Sequence, residues 1–207
     1  MKRKPMLLKR LMDNTGHEAK RTIGLIGTNR GAGVTYTGML LAYYFGTEKR
    51  MKTAYLECNS HMDFDRLWQA YEWSDENEQS FRLDRVTYYK KVAKNQIPEI
   101  LNEDYDCCIL DFGMDFSSSR EEFIRCGSKI ILGDRAIWNQ SRMIAFLRDL
   151  KHTKESRHWI HLIPCAEQRL VARMARETDR CFFRIPFEPD VTSLSKETYR
   201  LFYHLFG

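Results

Sequence analysis

Short apolar runs alternate with helix-like segments along most of this 207-residue chain, and this alternation constrains the fold more than any other feature. The apolar runs have the length of β-strands, and the segments between them have the apolar spacing of amphipathic helices. A chain of repeated strand–helix units folds into a parallel sheet covered by helices. We therefore predict an α/β fold with a doubly wound, mostly parallel sheet and helices on both faces.

The pattern predicts six strands and seven helices after residue 21. The strands are placed at 22–27, 52–57, 106–112, 128–133, 158–163 and 181–185. The helices are placed at 35–46, 63–72, 95–103, 118–125, 137–152, 166–177 and 193–206. Residues 73–80 are polar and acidic, which predicts an exposed loop, and residues 81–89 alternate well enough for one edge strand.

The net charge of +5 is concentrated in residues 1–21, which hold seven basic and two acidic residues. We therefore divide the chain into a basic tail, 1–21, and one domain, 22–207, that carries no net charge. No specific nucleic-acid recognition is expected, because such domains usually show a basic face of their own. Pro5 opens a segment with the spacing of a short basic amphipathic helix, suited to an anionic membrane surface or a protein partner. A solvated tail, or one folded onto its own domain, is the alternative.

The six cysteines have no metal-ligand spacing, and most lie in or beside predicted strands. A reduced cysteine in such a place behaves as a small core residue, so no zinc site is expected. No apolar run approaches the ~18 residues of a membrane span, and no signal peptide is recognised. We expect a cytoplasmic protein, with peripheral contact to the inner face of the membrane compatible with the basic tail.

Residues 22–37 have the order of a strand, a glycine-rich turn and a helix. In this setting, successive backbone N–H groups and a helix N-terminus can cradle a phosphate chain. The full pattern ends in Gly-Lys followed by Ser or Thr, whereas this chain has Gly33, Val34 and Thr35. The backbone of the cradle is kept and its cation is missing. An ordinary tight connection between strand and helix would use the same glycines.

A second candidate element is the predicted strand that ends in Asp111. A magnesium site beside a phosphate loop needs a loop hydroxyl on the ion and a carboxylate that holds metal-bound water. Thr35 and Asp111 are the residues predicted for these two roles.

Taken together, these segments resemble the deviant-Walker ATPases of the ParA/MinD type, and within them the TadZ-like pilus-assembly proteins. The family's loop, Lys-Gly-Gly-Val-Gly-Lys-Thr-Thr, aligns with residues 29–36. Its Asp-x-Asp aligns with residues 57–59, its magnesium aspartate with Asp111, and the Ile-Pro that borders adenine with residues 185–186. The resemblance implies a P-loop NTPase-like fold of the SIMIBI/ParA type that binds ATP or ADP with Mg²⁺.

The residues that the resemblance assigns to the nucleotide come from the loop, the start of the next helix and the segment after the last strand. They are Thr28, Asn29, Arg30, Gly31, Ala32, Gly33, Val34, Thr35, Tyr36, Pro186 and Phe187. Thr35 and Asp111 are assigned to the metal, and no catalytic residue is assigned.

Three departures from the family pattern predict weak binding and poor turnover. Val34 stands at the loop lysine, and Asn29 at the lysine that reaches the partner's phosphates in the family's dimers. Asn59 replaces the acid that helps to position the attacking water, and a neutral amide is no base. A charge-assisted hydrogen bond is worth roughly 1.5–3 kcal/mol, so weak binding survives its loss. Phosphoryl transfer depends on charge neutralisation and suffers more.

The resemblance implies a degenerate nucleotide-binding protein with little or no ATP hydrolysis. It would act as a localisation or assembly adaptor for a pilus or secretion apparatus. Its expected partners are proteins of that apparatus, a second copy of the chain, and an anionic membrane surface met by residues 1–21. Two alternatives stay open: an active ATPase of the partitioning or positioning type that uses Arg30 in place of the lysine, and a nucleotide-free interaction module.

Overall fold

Eight strands form one sheet in the computed structural model, which describes residues 20–70, 79–153 and 155–207. The strands are β1 (Arg21–Gly27), β2 (Thr53–Glu57), β3 (Ser80–Leu83), β4 (Val86–Tyr89), β5 (Cys107–Asp111), β6 (Ser128–Leu132), β7 (Ile160–Pro164) and β8 (Phe182–Ile185). Their order across the sheet is β3-β4-β2-β5-β1-β6-β7-β8, and only the β3–β4 pair is antiparallel. The predicted doubly wound, mostly parallel sheet is confirmed.

Seven α-helices connect and cover these strands in the described part of the chain. They are α1 (Val34–Tyr43), α2 (Asp63–Ala70), α3 (Ile97–Asn102), α4 (Phe116–Arg125), α5 (Gln140–Asp149), α6 (Gln168–Thr178) and α7 (Lys196–Phe206). A π-helical turn, Tyr44–Glu48, continues α1. Each predicted helix overlaps one of the seven. Among the residues that the structure describes, every helix is too short or too polar to cross a bilayer.

The prediction of one edge strand at 81–89 is wrong, because this segment is part of a hairpin. β3 and β4 pair in antiparallel register, with Leu83 opposite Val86. Asp84 takes a left-handed conformation (φ 54°) at the turn between them, which reverses the chain. β4 then pairs with β2 inside the sheet, and β3 forms the edge. The alternation of apolar residues breaks at the turn, because two polar residues, Asp84 and Arg85, separate Leu83 from Val86. The sequence therefore held a signal for the hairpin that the single-strand prediction overlooked.

Two other predictions fall largely outside the described residues. The basic tail is represented only by Lys20 and Arg21, and Arg21 already belongs to β1. Of the predicted acidic loop at 73–80, only the last two residues are described, and Ser80 begins β3.

The core lies on both faces of the sheet, since successive strand residues point to opposite sides. In β5, Cys107 and Ile109 face the side covered by α1 and α7, whereas Cys108 and Leu110 face the side covered by α3 to α6. The apolar side of α7 belongs to the core, since Phe202 and Phe206 are buried against the first side. Both covered faces leave only the strand ends and their loops for ligands.

Candidate functional site: a glycine loop at the carboxyl edge of the sheet

The predicted phosphate loop, residues 28–33, joins β1 to α1 at the carboxyl edge of the parallel sheet, where such sheets bind ligands. Backbone hydrogen bonds attach it to the neighbouring strands. The Gly27 N–H donates to the Gly113 carbonyl (2.7 Å), and the Thr28 N–H donates to the Leu132 carbonyl (2.9 Å). A cavity of about 310 Å³ opens over the loop and the first turn of α1. The loop is therefore a fixed part of the sheet edge.

Glycine is required at position 33 for two reasons. Gly33 has φ 84°, a left-handed conformation, and is the residue that precedes α1. A Cβ atom there would also lie 3.1 Å from Cγ of Pro164, at the end of β7. Gly31 shares the same φ, but a Cβ atom there would meet open space. The pair of left-handed residues turns the backbone so that α1 starts at the cavity.

Thr35 and Asp111, the two residues predicted for the metal, lie side by side. The Thr35 hydroxyl is 2.8 Å from Oδ2 of Asp111 and 3.3 Å from Oδ2 of Asp63. Hydroxyl and carboxylate oxygens are the donors that Mg²⁺ takes in proteins, so these residues fit that ion. Within the described ranges, no group of three His, Cys, Asp or Glu residues is close enough to hold a metal by itself. Phosphate and water oxygens would have to complete the coordination shell.

The Asp111 carboxylate is fully buried and heavily hydrogen bonded. Its Oδ1 accepts from the Gly113 N–H (2.8 Å) and from Nδ2 of Asn59 (2.9 Å). Its Oδ2 accepts from the Thr35 hydroxyl and from the Tyr55 hydroxyl, at 2.8 and 3.3 Å. Burial raises the pKa of Asp111, and the hydrogen bonds act in the opposite direction. The carboxylate is held in one orientation, with one oxygen toward Thr35.

Glu57 and Asn59, at the end of β2, are structural residues of this edge rather than solvated loop residues. The buried Glu57 carboxylate accepts from the N–H groups of Asp63 (2.6 Å) and Phe64 (3.3 Å), and burial raises its pKa. It thereby fixes the start of α2. The Asn59 amide donates to Asp111 and accepts from the His61 N–H (2.9 Å). Both polar atoms of the Asn59 side chain are therefore bonded to neighbouring residues of the fold.

The two positions where the family has lysines carry side chains that are bound within the chain. Val34 is buried in the core cluster beneath α1. Asn29 is buried too, and its Nδ2 donates to the Arg30 carbonyl (2.8 Å) and to Oδ2 of Asp134 (3.2 Å), at the loop after β6. Thr28 donates from its hydroxyl to the Asn29 side chain (3.1 Å). The Asn29 side chain therefore binds residues of its own chain and does not extend toward a second copy.

A second cavity, of about 240 Å³, lies beside the loop and includes part of the predicted nucleoside site. It is lined by Gly31, Ala32, Gly33, Tyr36, Gly133, Asp134, Arg135, Pro164, Cys165 and Phe187. Tyr36 reaches across to the segment after β8, where its hydroxyl accepts from the Glu188 N–H (2.8 Å) and donates to the Glu188 carbonyl (3.2 Å). Burial raises the pKa of Tyr36. Pro186 directly follows β8, and Phe187 is 71% exposed at the cavity.

Sequence reasoning missed four residues of the cleft. Tyr55 bonds Asp111 from the middle of β2, and His61, Asp63 and Arg66 line the 310 Å³ cavity together with Arg30. β2 ends in an acidic residue, Glu57. Asp63 and Arg66 are three residues apart in the first turn of α2, the helix that follows β2. That spacing places both on one side of the helix, a signal that was available in the sequence.

Comparison with known proteins finds no matching protein-family model and no curated protein with a similar sequence. Solved structures do match. A putative plasmid partition protein from Borrelia burgdorferi, bound to AMPPNP, superposes with a TM-score of 0.64 at 10% identity, over 90% of this chain and 96% of that chain. A ParA family ATPase from Chlorobium tepidum gives 0.62 at 12% identity, over 82% and 85%. The chain has the fold of the ParA and MinD ATPases.

MinD from Pyrococcus horikoshii, complexed with Mg-ADP, supports the same assignment. It gives a TM-score of 0.60 at 12% identity, over 82% of each chain. Identities this low establish the fold alone.

Proposed function

We propose that this chain is a nucleotide-binding protein of the ParA/MinD type with little or no ATP hydrolysis, which works as a localisation or assembly adaptor. The observation that supports this proposal is the set of residues that the cleft brings together. Loop amides, the start of α1 and the Thr35–Asp111 pair stand together, whereas Val34 and Asn29 occupy the two lysine positions. The TadZ-like resemblance suggests a pilus or secretion apparatus as the system it serves.

In this proposal, the loop amides and the helix N-terminus hold the phosphate chain, since both present positive dipole ends to an anion. A bound Mg²⁺ would neutralise phosphate charge, and Thr35 and Asp111 are the residues that would hold it. The nucleoside would rest beside Tyr36, Pro186 and Phe187, at the smaller cavity.

Weak turnover follows from what Asn59 does. Its amide nitrogen donates to Asp111, and it carries no group that accepts a proton from an attacking water near neutral pH. Without a lysine at position 34, less charge is neutralised in the transition state. Bound nucleotide would then act as a lasting structural signal.

Calorimetry with ADP and ATP in the presence of Mg²⁺, joined to a phosphate-release assay, tests this function. We expect binding in the micromolar-to-millimolar range, which suits a loop that lacks its lysine, and hydrolysis at the background rate. As a control, Gly33→Val should abolish binding and Gly127→Ala should not, because a Cβ atom at Gly127 makes only ordinary contacts away from the cleft.

Each alternative has its own outcome in this experiment. Brisk hydrolysis that disappears in Arg30→Ala would favour the active ATPase. No heat at millimolar nucleotide would favour the nucleotide-free interaction module. Genes for a pilus or secretion apparatus beside the gene for this chain would support the adaptor role, and their absence would argue for a different system.

A further inference from the structure

A second arginine lines the phosphate cleft beside Arg30, and it comes from a different element. Arg66, on α2, lines the 310 Å³ cavity together with the loop residues Gly31 and Gly33 and with Thr35. It is 69% exposed, so the guanidinium has room to move. No loop lysine competes for the same place.

The position of Arg66 is set from the end of β2. Glu57 accepts the N–H groups of Asp63 and Phe64, which fixes the first turn of α2 against the sheet edge. Arg66 lies one helical turn after Asp63, and its Nη1 is 2.9 Å from Oδ1 of that carboxylate. The other oxygen of Asp63 faces the Thr35 hydroxyl at 3.3 Å. The guanidinium is therefore tied, through Asp63, to the residues predicted for the metal.

The charged residues of the cleft indicate why phosphate binding needs a second arginine. Asp63 and Asp111 place two carboxyl groups near Thr35, and Arg30 alone would leave the cleft with an excess of negative charge. A phosphate chain would be repelled from such a cleft, since like charges at a few ångströms interact unfavourably even at the protein surface. Arg66 adds a second positive charge beside Asp63, and so reduces this excess.

We propose that Arg66 supplies the phosphate-binding charge that a loop lysine provides in other proteins with this fold. Asp63 is its ion-pair partner when no nucleotide is bound. The ligand is a nucleoside diphosphate or triphosphate, whose phosphate oxygens match the planar fork of a guanidinium. This inference rests on the proposed nucleotide-binding function. Arg66 is a binding residue and takes no part in proton transfer.

Titration of ADP with Mg²⁺ into the full-length protein, followed by calorimetry, tests this assignment. Arg66→Ala should weaken binding about tenfold, the size expected for one charge-assisted contact in a partly exposed site. Arg66→Lys should recover part of the loss, because a lysine keeps the charge without the fork. The difference between wild type and Arg66→Ala should shrink as salt is raised.

Arg125→Ala is the matched control. Arg125 is also on a helix, is 75% exposed and faces a carboxylate of its own helix, Glu121, one turn away at 3.9 Å. It lies outside the cleft, so its removal should leave ADP affinity unchanged. Equal unfolding temperatures of the three variants and the wild type show that none is misfolded.

The outcomes separate this inference from the proposed function. If the wild type binds ADP and Arg66→Ala binds it with the same affinity, the role of Arg66 is overturned. The proposed nucleotide site is not affected by that result. An equal loss in Arg66→Ala and Arg125→Ala also overturns it, because the effect would then be one of net charge. Absence of wild-type binding overturns the proposed function and this inference with it. Inorganic pyrophosphate as a second probe should show the same ranking of variants, since Arg66 is assigned to phosphate.

Discussion

Asp111 accepts four hydrogen bonds in a place that solvent does not reach. Asn59 and Gly113 donate to one carboxylate oxygen, and Thr35 and Tyr55 donate to the other. Buried carboxylates are tolerated when their oxygens are satisfied in this way. The amide at position 59 therefore has a structural role that a carboxylate could not take over.

Asn59→Asp should destabilise the protein by about 1–3 kcal/mol at pH 7, because a donor is lost and a second carboxylate faces the buried one. Burial already raises the pKa of Asp111. A carboxyl group with a raised pKa keeps its proton to higher pH in the folded state than in the unfolded chain. The part of the destabilisation that comes from the second negative charge should therefore be absent below about pH 4, the unfolded value, and grow as pH rises above it.

Urea unfolding of wild type and variant between pH 4 and pH 8 measures this effect. Asn95→Asp, at an exposed position before α3, is the control and should change stability by less than about 0.5 kcal/mol. A variant as stable as wild type at pH 7 would show that Asn59 does not hold Asp111 in solution.

At the scale of elements, Glu188 connects the amino ends of two helices. Its buried carboxylate accepts from the Ser195 N–H (3.2 Å) and hydroxyl (2.6 Å) and from the Thr198 hydroxyl, at the first turn of α7. Its backbone bonds the Tyr36 hydroxyl from α1. The segment after β8 is thereby held between α1 and α7, beside the predicted nucleoside site.

Glu188→Ala should lower the free energy of unfolding by about 2–4 kcal/mol, because three donors at the start of α7 lose a charged acceptor. Glu197→Ala is the matched control on the same helix. Glu197 is exposed and pairs with Arg184, so its loss should cost less than about 1 kcal/mol. Thermal or urea unfolding distinguishes the two. Similar losses in both variants would mean that Glu188 is not the residue that fixes α7.

At the scale of the molecule, the absence of net charge on the domain conceals an uneven distribution. Among the described residues, a cavity of about 850 Å³ between the loop after β6 and α6 is lined by four arginines, an exposed tryptophan and only two acidic residues: Arg135, Arg169, Arg173, Arg176, Trp138, Asp134 and Glu167. Lys20 and Arg21, the last two residues of the predicted tail, form hydrogen bonds with the rest of the described chain. Lys20 donates to the Leu101 carbonyl (2.5 Å), and Arg21 donates from its side chain to the Phe206 carbonyl (2.5 Å).

Deletion of residues 1–19 should leave folding and nucleotide affinity unchanged and remove salt-sensitive binding to anionic vesicles. The deleted segment has five basic residues, each worth about 1 kcal/mol near an anionic membrane surface. Co-sedimentation with vesicles that contain phosphatidylserine measures the loss, and vesicles of phosphatidylcholine alone are the control. Undiminished binding of the truncated protein would contradict the role of the tail and direct attention to the arginine-lined cavity.

The sequence alone determined the order of the main elements and the location of the loop. Strand and helix periods are local properties, and the glycines at 31 and 33 mark a turn that few other residues can adopt. The meeting of Thr35 with Asp111 could also be anticipated, since both follow or end strands at the same edge of a parallel sheet.

The tertiary structure alone decided which side chains complete that edge. Asn29 meets Asp134 across 105 residues of sequence, and Tyr36 meets Glu188 across 152. The placement of Arg66 beside the loop depends on how Glu57 fixes the start of α2. Such contacts arise from the packing of distant segments, so no local period encodes them. The charge of the phosphate cleft is therefore a property of the fold, and it becomes visible only when strand ends and helix starts are brought together.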